Sequence, residues 1–262
     1  MIDTDIRHRG APWGVWLGVR GLTAGFGICS IAWAVFFVTV NRVATPLAGA
    51  AGNILRGESL DSAKLRELKE QLDATPKDQL RFAAADDVAV IRLRLLEVKL
   101  REKAIQAESP DFADLDSALA AALSKNPNNS FLWFADYWLG RVQRDARDRG
   151  IKLLRMCYET GPNEAWIAQR RNPVALANFS SLPGDLAEEA LSEYVRLVQS
   201  GLYRDAANIL AGPGWPIRQQ LLSRLAPLDD ADRYAMAREL ASRDLDGISV
   251  PGVPDERPSR PF

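Results

Sequence analysis

A long uncharged segment near the amino terminus constrains this chain more than any other feature. Between Arg20 and Arg42 lie 21 consecutive residues without a charge, 21–41, with the sequence GLTAGFGICSIAWAVFFVTVN. A helix of this length spans about 30 Å, which matches the hydrocarbon core of a bilayer. Trp13 and Trp16 precede the segment, where indole rings favour the headgroup region. The sequence therefore predicts a transmembrane helix over 21–41.

A cleaved secretory signal is the alternative interpretation of this segment. Ala48, Gly49 and Ala50 form a pattern of small residues after the apolar run, as at the cleavage sites of signal peptides. The run is about twice as long as the apolar part of a signal peptide, and the lead before it is also long. We therefore favour an uncleaved signal-anchor that crosses the membrane once.

Basic residues on either side of the span indicate its orientation, because cytoplasmic flanks carry the excess of Lys and Arg. The flanking arginines are Arg7, Arg9 and Arg20 before the span, and Arg42 and Arg56 after it. This excess predicts a short cytoplasmic tail at residues 1–20. The carboxyl-terminal part then lies outside, which for a bacterial inner (plasma) membrane is the periplasm.

Two glycines in the span have a spacing that brings membrane helices together. Gly21 and Gly25 form a GxxxG pattern, whose small residues allow two helix backbones to approach closely. A homodimer through this face is one interpretation, and chance occurrence of common glycines is the other.

The overall composition excludes several classes of function. The 33 Lys and Arg residues against 34 Asp and Glu residues leave a net charge of −1, so the chain lacks the positive field of a nucleic-acid-binding protein. One histidine, His8, and two cysteines, Cys29 and Cys157, are too few for the usual metal sites and catalytic triads. We therefore expect no catalytic, metal-binding or cofactor-binding residues.

The chain after the span divides by composition into three parts. Residues 42–58 are rich in Gly and Ala and contain Pro46, as in a linker or a weak helical extension of the span. Residues 59–244 are numerous enough for one sizeable domain. Residues 245–262 carry four prolines and are predicted to be disordered.

The domain over 59–244 has helical patterning throughout. Leu65, Leu68 and Leu72 recur at spacings of three and four, as on the apolar face of a helix. The apolar residues that follow Asp86 partly alternate, but a stretch of about 20 residues without Gly or Pro favours a helix over a strand. Further helices are predicted over 111–125, 131–142, 147–159, 164–171, 186–199, 203–210, 217–225 and 231–243. The sequence therefore predicts an all-α fold of helical hairpins.

The segment SALAAALSKNPNNSFLW, residues 117–133, resembles the junction between two tetratricopeptide repeats. These repeats are helical hairpins of about 34 residues. In this resemblance Ala122 is the small residue of the second helix, and Pro127 ends that helix. Trp133 is then the large residue that opens the next hairpin.

A second segment, SGLYRDAANIL at residues 200–210, resembles the turn and second helix of the same family. Gly201, Tyr203 and Ala206 stand at the matching positions. The resemblance implies an α-solenoid that presents a concave groove to a partner protein. The family's pattern has an apolar and then a small residue after Trp133, but this chain has Asp136 and Tyr137 there. A compact helical bundle is the alternative fold.

An aromatic region between residues 131 and 171 is the strongest candidate for a binding groove. Aromatic side chains supply large contact areas, and arginine supplies forked hydrogen bonding. The residues predicted to line such a groove are Trp133, Tyr137, Trp166, Arg170 and Arg171. The alternative is that these aromatic residues form a wide core face between two hairpins.

These features favour a membrane-anchored helical scaffold or adaptor that binds protein partners in the cell envelope. An accessory factor in surface-polysaccharide synthesis or export, which recognises glycan through the aromatic region, is the second hypothesis. A third is a peptidoglycan-active hydrolase or transglycosylase that uses a single carboxylic acid. Glu108, followed by Ser109, is the one weak match to such a site, and its position before Pro110 in a loop argues against it.

The predicted orientation can be tested by protease mapping. We expect a protease added from the periplasmic side to digest the carboxyl-terminal part of the wild type. Replacing Arg7 and Arg9 with Ala should weaken this orientation, because the excess of basic residues before the span is lost. Digestion of the wild type from the cytoplasmic side alone would contradict the assignment.

Overall fold

The structure, a computed structural model, describes residues 13–103, 109–144, 147–243 and 248–254. Every regular element in these ranges is a helix, which confirms the all-α prediction. The chain divides into two compact units, Met1–Ala104 and Ile105–Phe262. The single domain predicted over 59–244 is therefore split between the two units.

The first unit is built on one long helix, α1 (Trp13–Leu55). At 1.5 Å per residue its 43 residues extend over about 65 Å. Three shorter helices follow it, α2 (Ser62–Ala74), α3 (Lys77–Ala83) and α4 (Ala85–Arg101). α1 contacts both α3 and α4, and α2 contacts α4.

One segment in the first part of α1 is apolar and uncovered. The segment Arg20–Val38 has a mean hydropathy of 1.9, and none of it is buried in the structure. Phe26, for example, is 77% exposed. Among the described residues this is the one helix long and apolar enough to cross a membrane.

The carboxyl-terminal end of α1 belongs to the core of the first unit. Leu47, Ala50 and Ala51 are buried, and the helix continues to Leu55 through Pro46. The predicted linker at 42–58 is therefore helical over most of its length. Burial of its apolar face outweighs the weak helix propensity of its glycines and proline.

The helix α2 follows its sequence signals closely. Asp61 caps α2, where its carboxylate accepts a hydrogen bond from the Lys64 backbone N–H over 2.6 Å. Leu65, Leu68 and Leu72 are buried, as their spacing predicts.

The second unit contains the remaining α-helices and two short 3-10 turns. The α-helices are α5 (Pro110–Lys125), α6 (Ser130–Gln143), α7 (Arg147–Thr160), α8 (Ala165–Ala177), α9 (Gly184–Gln199), α10 (Tyr203–Ala211), α11 (Arg218–Ser223) and α12 (Asp230–Ala241). The 3-10 turns are Phe179–Ser181 after α8 and Trp215–Ile217 before α11. The helix predicted to end at Arg171 runs on through Pro173, because buried Ala175 and Leu176 hold its last turn in the core.

The helices of the second unit are stacked in chain order. α6 contacts α8, α8 contacts α10 and α10 contacts α12, so these four helices form one row. Several side-chain hydrogen bonds join residues about 35 positions apart along the chain. Examples at separations of 34 to 36 are Ser130 with Glu164, Arg147 with Ser181, Tyr158 with Glu193, Gln169 with Asp205, and Arg224 with Glu188. A contact pattern that repeats at this interval is typical of a solenoid of helical hairpins.

The row also limits the resemblance to tetratricopeptide repeats. The first segment makes α6 the opening helix of a hairpin, whereas the second segment makes α10 a second helix. α6 and α10 occupy the same row, so the two segments assign different roles to equivalent helices. The two short sequence matches therefore do not predict how the helices of the second unit pack against one another.

The predicted disordered tail is partly ordered, which corrects the prediction for residues 248–254. Ile248 and Val250 are buried, and the Pro251 carbonyl accepts a hydrogen bond from Arg233 Nη1 over 2.9 Å. Two β-branched side chains anchor this short segment despite its proline content.

The burial of Leu47 generates a stability prediction for the first unit. We expect Leu47→Ala to lower the free energy of unfolding by about 2–5 kcal/mol, because it leaves a cavity in a packed core. Leu22→Ala, in the exposed part of the same helix, is the matched control and should leave it unchanged. Denaturant unfolding of the full chain in detergent micelles, followed by circular dichroism, measures both. Equal effects of the two substitutions would contradict the placement of α1.

Candidate partner-binding site

The five residues predicted to line a groove occupy different environments on α6 and α8. Tyr137 and Arg171 are buried, Trp133 and Arg170 are half-buried, and Trp166 is 38% exposed. They do not form a single groove.

Arg171 is a core residue and not a groove residue, which corrects the sequence prediction. Its side chain is wholly buried and is paired with Glu193, whose side chain is 1% exposed. Arg171 Nε donates to Glu193 Oε1 over 3.1 Å, and Nη2 donates to the same oxygen. Its remaining donors reach the backbone carbonyls of Cys157 at 2.6 Å and Gly161 at 3.1 Å.

The Glu193 carboxylate also accepts hydrogen bonds from side chains on the neighbouring helices. The Tyr158 hydroxyl donates to its Oε2 over 3.1 Å, and Asn172 Nδ2 donates over 3.3 Å. The Arg171 guanidinium also lies 3.9 Å from the centre of the Tyr158 ring. One buried ion pair therefore ties α7, α8 and α9 together.

Burial and the Glu193 carboxylate shift the pKa values of residues in and beside this cluster. Burial disfavours the Arg171 cation, but the adjacent Glu193 carboxylate holds the pKa of Arg171 above its ordinary value. Burial and the same carboxylate raise the pKa of Tyr158. Burial raises the pKa of Cys157 to about 11, so that thiol stays protonated and unreactive at neutral pH.

Trp133 also has a structural role. Its indole Nε1–H donates to the Pro127 carbonyl over 2.7 Å and thereby holds the turn between α5 and α6. The side chain is only half-buried, so part of its ring remains at the surface.

The exposed part of the predicted set is centred on Trp166. Its ring lies 5.6 Å from the buried Phe131 ring, and the Arg170 guanidinium lies 5.7 Å from its centre. Arg170 Nη1 also donates to the Trp166 carbonyl over 2.9 Å, which fixes the pair on α8. We call Phe131, Trp166 and Arg170 the Trp166 patch. Exposed tryptophan and arginine are the residue types that most often dominate protein interfaces.

Tyr137 lies at a second feature, a small cleft between α6, α7 and the 3-10 turn after α8. The cleft has an internal volume of about 40 Å³. Its polar lining consists of Tyr137, Arg141, Arg147, Arg149, Asn178 and Ser181. We call this feature the arginine cleft.

The arginines of the cleft have unequal electrostatic surroundings. Arg149 forms ion pairs with Asp136 at 2.7 Å and Asp116 at 3.6 Å. Arg141 Nη2 donates to Asn178 Oδ1 over 2.6 Å, and Arg147 donates to the Ser181 carbonyl. These last two acceptors are neutral.

Sequence reasoning missed the arginine cleft because its residues come from separate parts of the chain. The basic stretch RVQRDARDR at 141–149 is the one local signal, and it is typical of an exposed helix end. Asn178 and Ser181 join it only through the stacking of adjacent hairpins.

Two residues weighed for chemistry from the sequence, His8 and Glu108, lie outside the described residues. Comparisons with known proteins add no further assignment. No protein-family model, no curated protein and no solved structure matches this chain.

The buried ion pair generates a stability prediction for the second unit. We expect Glu193→Gln to lower the free energy of unfolding by about 3–5 kcal/mol, because it leaves a buried arginine without its counter-charge. The matched control is Glu188→Gln on the same helix, whose exposed pair with Arg224 should contribute about 0–1 kcal/mol.

Denaturant unfolding of the full chain compares the two variants. The double substitution Arg171→Met with Glu193→Leu should recover most of the loss, because it removes both charges together. Similar small effects of Glu193→Gln and Glu188→Gln would contradict the central role of the pair.

Proposed function

We propose that this protein is a single-pass membrane-anchored scaffold whose second unit binds partner proteins at the Trp166 patch. The observation that carries the proposal is the exposure of the whole apolar segment Arg20–Val38 on a helix that continues into a folded core. Water is a poor solvent for such a surface, whereas a bilayer covers it completely.

The course of α1 favours an anchor over a cleaved signal. The small residues Ala48 to Ala50, which resemble a cleavage site, lie inside this helix. Cleavage after Ala50 would remove Leu47 and Ala50 from the core of the first unit. The burial of these two residues in the folded unit supports an uncleaved anchor.

The hairpin stack favours a binding role for the second unit. Stacked hairpins present extended surfaces to which neighbouring repeats contribute together. The Trp166 patch lies at such a junction, since Phe131 belongs to α6 and Trp166 to α8. We assign the amino-terminal tail to the cytoplasm and the two folded units to the periplasmic side of an inner membrane, as the flanking arginines indicate.

The proposal can be tested by cross-linking in intact membranes. A photoreactive aromatic residue at position 166 should cross-link to a defined partner protein, which mass spectrometry identifies. With that partner in hand, Trp166→Ala should weaken its binding about tenfold or more, since interface tryptophans are typical hot spots. The melting temperature should stay nearly unchanged, because the side chain is at the surface.

Trp215→Ala is the matched control for this experiment. Trp215 is 36% exposed and carries Arg218 at 4.6 Å from its ring centre, so it repeats the chemistry of the patch elsewhere in the same unit. Equal losses for Trp166→Ala and Trp215→Ala would refute a specific role for the Trp166 patch. Recovery of the wild type in the soluble fraction would refute the anchor.

A further inference from the structure

We propose that the arginine cleft is a binding site for a small oxyanion, a carboxylate or a phosphate group, held by Tyr137, Arg141 and Arg147. The site is separate from the Trp166 patch. It requires neither the membrane anchor nor the protein partner proposed above.

The first observation is the Tyr137 hydroxyl. Tyr137 is 4% exposed and lines the cleft, yet within the described part of the chain its hydroxyl has no hydrogen-bond partner. Among the described residues, the buried side-chain atoms that lack a partner lie elsewhere, for example on Tyr194 and Asn172, so the Tyr137 hydroxyl is accessible to solvent in the cleft. Burial raises the pKa of Tyr137, so the hydroxyl remains a donor at neutral pH. The cleft therefore offers a donor that an incoming acceptor can use.

The second observation is the positive charge beside that hydroxyl. Arg149 is compensated by Asp136 and Asp116. Arg141 and Arg147 each give one hydrogen bond to a neutral acceptor, and no described carboxylate lies within 4 Å of either guanidinium. A guanidinium carries five N–H donors, so both side chains retain donors for an anion.

The third observation is the size of the cleft. Its volume of about 40 Å³ corresponds to roughly three water molecules. That space suits one carboxylate or phosphate group. Arginine forks match the geometry of both oxyanions, which accept two parallel N–H bonds. The arginine donors and the volume of the cleft therefore both favour a single carboxylate or phosphate group as the ligand.

An anion bound in the cleft would lie where two successive hairpins are joined. Arg141 and Arg147 reach from α6 and α7 to Asn178 and Ser181, which follow α8. These bonds span one repeat of the stack. An anion bound between the arginines would contact residues that already join two successive hairpins.

Isothermal titration calorimetry on the full chain in uncharged detergent micelles tests the site. Inorganic phosphate and acetate are the two probes, each titrated at constant ionic strength set with sodium chloride. We expect saturable one-site binding of at least one of them at millimolar concentrations. Preference for phosphate identifies a phosphate ligand, and preference for acetate identifies a carboxylate ligand.

Variants separate binding from folding. Tyr137→Phe removes only the hydroxyl and should weaken binding about fivefold, the loss expected for one hydrogen bond. Arg147→Gln should weaken it at least tenfold, and Arg147→Lys, which keeps the charge but loses the fork, should weaken it less. Thermal melting without anion identifies any variant that fails to fold.

Arg218→Gln is the control, because it removes one positive charge from the same unit away from the cleft. Its binding should equal that of the wild type. The proposal is overturned if neither anion gives saturable binding, or if Arg218→Gln loses as much affinity as Arg147→Gln and Tyr137→Phe loses none.

Discussion

The ion pair between Arg171 and Glu193 is the interaction on which the second unit depends. Removing two charges from water is costly, and the cost is offset by close pairing and by further hydrogen bonds to both charged groups. Here the Glu193 carboxylate accepts hydrogen bonds from Arg171, Tyr158 and Asn172. Because these residues belong to α7, α8 and α9, the pair fixes the relation of three consecutive helices. The helices that carry Trp166 and one wall of the arginine cleft are positioned by this cluster.

The first unit depends on a different constraint, the continuity of α1. One helix carries both the uncovered apolar segment Arg20–Val38 and the buried Leu47. The same helix therefore carries an uncovered apolar segment and, further along, a part that is packed in a protein core. No break in the helix separates them, so the fold of the first unit begins a few turns beyond the apolar segment.

The hairpin stack explains how two different surfaces arise in the second unit. Hydrogen bonds at separations of 34 and 35 residues join each hairpin to the next, which brings distant parts of the chain into the same neighbourhood. In the Trp166 patch, the ring of Phe131 on α6 packs against the ring of Trp166 on α8. In the arginine cleft, Arg147 on α7 donates a hydrogen bond to the carbonyl of Ser181, which follows α8.

The sequence by itself determined the apolar segment, the helical class and most helix bounds, because these follow from local periodicity, charge and capping residues. Only the tertiary structure decided which face of each helix is buried. Neighbouring residues on a helix point about 100° apart, so Arg170 is only half-buried while Arg171 is a core residue, and no local pattern separates the two. Likewise Leu47, Ile248 and Val250 are ordered by long-range packing, which overrides the glycine- and proline-rich composition around them.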